Sequence, residues 1–212
     1  GEALELYLQL QAVPAPWTIY RQIRKLPPAH FAVFDRKGTR IQRYWNVDYR
    51  SKIQMGEPEA LEAFEEKLTE SVRLRMISDV PIGALLSGGV DSSVIVALMA
   101  KLSAAPVRTF SIGFHEQAFN ELPYAAQAAG ICGTLHHPEV VVGEVEHMLP
   151  LLARHYGEPY ADSSAVPSFH VSRVARQHVT VVLNGDGGDE LLGGYGRYVV
   201  PDWSIRSGTW LG

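Results

Sequence analysis

The sequence predicts an α/β fold built on a doubly wound parallel sheet. Three observations lead there. From residue 80 onward, short apolar runs of strand character alternate with segments of helical period. The two most glycine-rich loops, after Leu86 and after Leu183, fall at the carboxyl ends of predicted strands, where such sheets bind ligands. The composition, 46% hydrophobic and 20% charged over 212 residues, is that of a chain able to bury a core rather than of a disordered tail.

In chain order, residues 2–10 carry Leu4, Leu6 and Leu8 among polar residues and predict a short helix. Pro14, Pro16, Pro27 and Pro28 then interrupt the chain. Residues 31–34 and 39–45 flank Asp35-Arg36-Lys37-Gly38 and predict a β-hairpin with a glycine turn. Pro58 sits where a helix has its first turn, and Leu61, Phe64, Leu68, Val72 and Met76 recur at helical spacing until about Ser78. Strands are predicted at 80–86, 107–113, 134–142 and 179–183. Helices are predicted at 92–102, 121–132, 145–156 and 165–177. The chain opens on Gly1, and residues 203–212 show no periodicity, so it reads as a piece of a longer protein.

Charge and cysteine content narrow the function. Lys plus Arg is 19 and Asp plus Glu is 23, a net charge of −4, which disfavours a general electrostatic grip on nucleic acid or anionic membrane. One cysteine makes neither an internal disulfide nor a cysteine-built zinc site. No apolar run has membrane-span length and no signal-peptide pattern opens the chain, so a cytoplasmic protein acting on small molecules is expected.

Ser87-Gly88-Gly89-Val90-Asp91-Ser92-Ser93 joins a predicted strand to a predicted helix. The glycines let backbone approach a ligand, and the helix N-terminus offers free N–H groups with partial positive charge. Phosphate is the expected anion. The plain alternative is a strand–helix turn capped by Asp91 or Ser92. The Gly-Lys-Ser/Thr ending of a Walker A loop is absent. A carboxylate beside phosphate calls for a cation, which makes Asp91 a candidate Mg²⁺ ligand. The second loop, Asn184-Gly185-Asp186-Gly187-Gly188-Asp189-Glu190, belongs to a stretch with three acids and five glycines between Gly185 and Gly194. Carboxylates at the end of a strand suggest metal binding or a positioned acid or base. His136 and His137 are adjacent on a strand, point to opposite faces, and do not share a metal easily. Cys132 reads as a buried apolar residue.

The SGGVDSS stretch resembles the pyrophosphate-binding motif of N-type ATP pyrophosphatases, and NGDGGDELLGGY resembles the second signature of asparagine synthetases and their relatives. Supporting likenesses run through residues 109–114 (TFSIGF), 158–167 (EPYADSSAVP), 25–30 and 43–45. The resemblance implies an adenine nucleotide α-hydrolase-like fold. It implies ATP and Mg²⁺ as cofactors, with ATP held by Ser87, Gly88, Gly89, Asp91, Ser92, Ser93, Ser111, Ile112, Gly185 and Gly187. Asp91 and Asp189 would hold the metal, and Asp186 and Asp189 would act in catalysis. Asp186 stands where the family often has glutamate, one methylene longer. Asp162 and Ser163 are expected to cap the helix that follows. The activity implied is ATP-dependent formation of asparagine from aspartate and glutamine-derived ammonia. Residues 1–56 would be a connector from an N-terminal glutaminase domain, and 57–212 a synthetase domain truncated at its C-terminus. A homodimer is an arrangement open to the full-length protein. The family would also supply a lysine to neutralise phosphate, and this chain has none after Lys101, with Arg197 the basic residue nearest the second loop. The 212 residues are therefore expected to be inactive alone. Rival readings are an amidotransferase acting on another carboxylate, a sulfur-transferring pyrophosphatase and a non-enzymatic nucleotide-binding module. The single cysteine and negative charge count against the sulfur chemistry.

Overall fold

The computed structural model describes residues 1–116, 120–141 and 145–198. The aperiodic stretch at 203–212 and the end of the strand predicted at 134–142 lie outside these, as does the side chain of Arg197. The chain forms two compact units, one of Gly1–Ala60 with Gly143–Ser168, the other of Leu61–Val142 with Phe169–Gly212.

In the first unit, α1 (Glu2–Leu10) ends where Gln11 turns left-handed and returns its N–H to Tyr7 O at 2.8 Å. The hairpin pairs β1 (His30–Asp35) with β2 (Gly38–Arg43) antiparallel, with Asp35 opposite Gly38. Gly38, at φ +116°, takes the conformation the turn needs, and Asp35 accepts the Lys37 N–H at 2.7 Å. α5 (Val145–Tyr156) buries Met148 and Leu152. After it, Glu158 accepts Ile19 N–H at 3.3 Å and pairs with Lys25, while Tyr20 Oη donates to Gly157 O at 2.9 Å. Asp162 makes an Asx turn, accepting Ser164 N–H at 2.8 Å, and its carbonyl accepts the N–H of Ala165, the first residue of α6. The hydrogen bonds from Ser164, helped by the Tyr160 hydroxyl and opposed by burial, hold its carboxyl below the ordinary range.

Helix α2 (Glu57–Arg75) stops three residues short of Ser78. Its apolar stripe is only partly covered. Val72 is buried and Leu68 and Met76 pack against the core, whereas Leu61 and Phe64 are exposed.

The second unit carries the parallel sheet, ordered β5 (Leu135–Val140), β4 (Arg108–Gly113), β3 (Ile82–Leu85), β6 (Val181–Leu183). One face buries Ala84 and Leu86 against Val72, against Val96, Leu98 and Met99 of α3 (Val90–Leu102), and against Ala125 and Ala129 of α4 (Leu122–Cys132). The other packs Phe110, Leu85, Ile112 and Val182 against Val174 and Ala175 of α6 (Ala165–Arg176). Alternate residues of β3 and β4 thus serve opposite layers, as pleating requires, and the sheet is covered on both faces. The doubly wound expectation holds. Cys132 packs at the edge of the first layer. His136 and His137 do point apart. The first faces Thr109, and the second stacks on His178 at a ring separation of 4.1 Å and on Phe110 at 5.3 Å.

One detail differs from expectation. The stretch 179–183 reads as the most apolar, buried strand, yet β6 has three paired residues and Val181 is 40% exposed. Among the described residues it pairs only with β3, so it is an edge strand without a neighbour to cover its outer side.

Candidate functional site

Strand order decides where the site lies. The chain builds β3, β4 and β5 outward and then returns to place β6 on the other side of β3. The connections at the carboxyl ends of β3 and β6 therefore diverge at a topological switch point, where open sheets bind ligands. Those two connections are the two glycine-rich loops.

In the first, Gly89 is the N-cap of α3, with no side-chain cap, and Asp91 and Ser92 lie within the first helical turn. The capping role weighed for Asp91 and Ser92 is therefore not theirs. Ser93 N–H reaches Gly89 O at 3.0 Å, and the N–H groups before it belong to a helix start that has no carbonyls of its own to bond. Gly88, at φ +85°, packs against the Tyr124–Ala125 peptide of α4, so a Cβ there would collide with backbone. The serines are engaged inside the loop. Gly89 N–H donates to Ser87 Oγ at 3.2 Å, the Ser87 and Ser92 hydroxyls lie 2.9 Å apart, and Ser92 Oγ donates to Gly89 O at 3.2 Å. Ser111, buried on β4, donates its hydroxyl to Leu86 O. Ile112 packs in the α6 layer.

The second loop contains a short helix, α7 (Gly188–Leu192), where the sequence reads as loop throughout. Gly187, at φ +94°, is its N-cap. Asn184 and Asp186 are joined twice, Asn184 Nδ2 donating to Asp186 Oδ2 at 2.6 Å and Asp186 N–H to Asn184 Oδ1 at 3.3 Å. Asp189 folds back on Gly194, whose N–H bonds to Asp189 O at 3.0 Å. Tyr195 Oη donates to Glu190 Oε1 at 3.0 Å.

The loops meet. A Cβ on Gly185 would lie 2.7 Å from Ser92 N and 2.9 Å from Asp91 Cβ, and one on Gly188 would lie 2.6 Å from Asp91 Cγ. The structure thus brings Asp91 and Ser92 against Gly185, and Asp91 against Gly188, while Ser87, Gly88 and Gly89 lie in the same loop as Asp91 and Ser92. Ser93 sits in the first turn of α3, and Asp189 follows directly on Gly188. Asn184, Gly188 and Gly194 escaped the sequence reading as individual residues. Their signal was present as glycines and an amide interleaved with acids, but which glycine faces which acid is a tertiary fact.

Among the described residues no group of three or more His, Cys, Asp or Glu side chains forms a ready metal cage. The donor set, helix N–H groups beside the Asp91 carboxylate with no lysine or arginine in either Ser87–Ser93 or residues 184–194, is chemically compatible with phosphate accompanied by a divalent cation.

Residues 63–212 match the family model described as asparagine synthase. The chain belongs to the asparagine synthase family. Asparagine synthetase 1 (glutamine-hydrolysing) of Bacillus subtilis strain 168 is 36% identical over 203 residues, which cover 94% of this chain and 32% of that protein. A Methanocaldococcus jannaschii protein provisionally named asparagine synthetase (glutamine-hydrolysing) 2 is 38% identical over 199 residues, 92% of this chain and 38% of its own. A Mycobacterium bovis protein, likewise provisionally named, is 39% identical over 204 residues, 94% and 31%. The chain spans about a third of the length of these curated relatives. No helix among the described residues is long and apolar enough to cross a membrane.

Proposed function

We propose that this asparagine synthase family chain carries the nucleotide end of an ATP-dependent amide-forming ligase. The observation that carries the reading is the contact of the two glycine loops at the switch point, with Asp91 of one lying against Gly188 of the other. The α3 N-terminus and Gly88–Gly89 would receive pyrophosphate oxygens. Asp91 and Asp189 would hold Mg²⁺, which when bound neutralises phosphate charge. Ile112 and the backbone of Ser111 would border the base, and Gly185 and Gly187 would let the second loop approach the phosphates.

The reaction proposed is adenylation of the aspartate side-chain carboxylate. The carboxylate oxygen bonds to the α phosphorus and pyrophosphate leaves. Ammonia from glutamine then displaces AMP to give asparagine. Asp186, whose carboxylate accepts a hydrogen bond from Asn184, would serve the acyl-adenylate step. Positioning and charge neutralisation supply most of the catalysis. The names of the relatives support glutamine as the ammonia source, and their greater length supports a glutaminase domain preceding residues 1–56 and further synthetase residues beyond 212. These 212 residues, which have no lysine after Lys101 to add fixed positive charge beside the Mg²⁺, would be inactive alone.

ATP–pyrophosphate exchange in the full-length protein, over a panel of carboxylates, tests the proposal. Exchange dependent on aspartate is the expected result. Exchange with another carboxylate, indifferent to aspartate, selects the related amidotransferase reading. Mg-ATP binding with no exchange for any carboxylate overturns ligase chemistry.

A further inference from the structure

The peptide joining Leu86 to Ser87 is where β3 gives way to the glycine loop. Leu86 N–H still follows the sheet ladder, donating to Phe110 O at 2.9 Å. Beyond that the backbone pairing is replaced by side chains. Leu86 C=O accepts the Ser111 hydroxyl from β4, and Ser87 N–H donates to Ser92 Oγ of α3 at 3.3 Å. Both polar groups of one peptide are therefore held by serine hydroxyls from two different elements. A peptide unit is planar, so holding both ends sets the orientation of the whole plane and the direction in which the chain leaves the strand.

The Ser111–Leu86 bond is buried, and the Ser87–Ser92 bond is part-buried. Ser111 is 4% exposed, Ser92 9% and Leu86 1%. Ser92 also donates to Gly89 O, which leaves the Ser87 hydroxyl to donate to Ser92 and to accept from Gly89 N–H. The loop conformation at Ser87, Gly88 and Gly89 is thus anchored through the Leu86–Ser87 peptide.

We propose that the Ser111 side chain is a positioning residue for this loop. Its hydroxyl, together with Ser92, orients the Leu86–Ser87 peptide and so aims Ser87, Gly88 and Gly89 at the phosphate ligand, without itself touching nucleotide. The functional half of this inference rests on the phosphate reading above. The structural half does not.

Amide hydrogen exchange of the ligand-free protein tests the clamp. In Ser111→Ala the amides of Ser87–Gly89 should exchange about tenfold faster, the order expected when a buried carbonyl loses its donor, while Val96 and Met99 in the core of α3 change by less than about twofold. Ser111→Thr, which keeps the hydroxyl, should restore wild-type exchange. The dissociation constant for Mg-ATP should rise about tenfold in Ser111→Ala and recover in Ser111→Thr. Unchanged loop exchange overturns the inference, as does equal acceleration at Val96 and Met99, because the hydroxyl would then serve packing alone. If Ser111→Ala does not fold, Ser92→Ala cuts the other end of the same peptide and carries the same expectation and the same overturning results. Selective loop acceleration in a protein whose wild type binds no Mg-ATP would uphold the clamp and overturn the phosphate reading.

Discussion

The Asp91 carboxylate lies over the Cα of Gly188, close enough that a Cβ at 188 would stand 2.6 Å from Asp91 Cγ and 2.7 Å from Oδ2. This contact joins the loop after β3 to the loop after β6. Gly188 does not have a left-handed backbone, so its requirement is space and not conformation. Gly188→Ala should displace the carboxylate while leaving α7 able to form. The expected outcome, read by titrating Mg²⁺ in the exchange reaction of the full-length protein, is a metal requirement raised about 10–100-fold, the usual cost of disturbing the support of a metal ligand. Asp91→Asn should do at least as much. An unchanged Mg²⁺ requirement in both would remove Asp91 from the metal site.

Asn184 is the amide that keeps Asp186 in place, by donating to its carboxylate and accepting its backbone N–H. Asn184→Ala removes both bonds. Asp186 is exposed, so stability should fall by no more than about 1 kcal/mol. The rate of amide formation should fall more than the rate of ATP–pyrophosphate exchange if Asp186 serves the acyl-adenylate. Equal losses in the two assays would place Asn184 in nucleotide binding instead.

Gly83 of β3 lies under the Phe110 ring, and a Cβ there would be 2.7 Å from Phe110 Cε2 and 2.8 Å from Arg108 O. Phe110 is fully buried in the α6 layer. Gly83→Ala should cost about 1–3 kcal/mol, the range for overpacking a core, measured as a shift of the urea midpoint without change in the slope. Residual folded protein should keep a wild-type KM for ATP.

Three histidines should make stability depend on pH. Burial holds His136, His137 and His170 below the ordinary imidazole value, helped by His137 for the first, by His178 and Arg108 for the second, and by Arg173, against Glu139, for the third. The unfolded chain then takes up protons near pH 6.5 that the folded protein refuses, so stability is fully present above about 6.5 and declines as pH falls through it. Among the described residues, neither ring nitrogen of buried His170 has a hydrogen-bond partner. His170→Leu should therefore flatten the decline between pH 7.5 and 5.5 in urea unfolding without lowering stability at pH 7.5, since an apolar group replaces an unsatisfied polar one. A slope unchanged by this substitution would assign the pH dependence elsewhere.

Most of the element boundaries in the second unit are local properties. Residues 90–102 and 122–132 form helices, and 108–113 and 135–140 form strands, within two residues or so of their predicted ends, because period and end signals are written along a few consecutive residues. The errors share one cause. Leu61 and Phe64 look like core by spacing but are exposed, and Val181 looks buried by β-branching but lies at an edge. A side chain's pattern states what it could bury, and only a neighbour from elsewhere in the chain can cover it.

The site divides in the same way. Sequence alone determined the two motifs, their places at strand ends and the absence of a lysine in either loop. Tertiary structure decided that β6 returns beside β3, which is what brings the motifs together, and that Asp91 faces Gly188 while Asp189 faces Gly194. It also turned two of the serines inward. Ser92 and Ser111 read as donors for a ligand, yet both hydroxyls are engaged in the loop's own backbone. Hydrogen-bond capacity is a property of the residue, but its direction is set by packing, and packing depends on contacts between residues far apart in the chain.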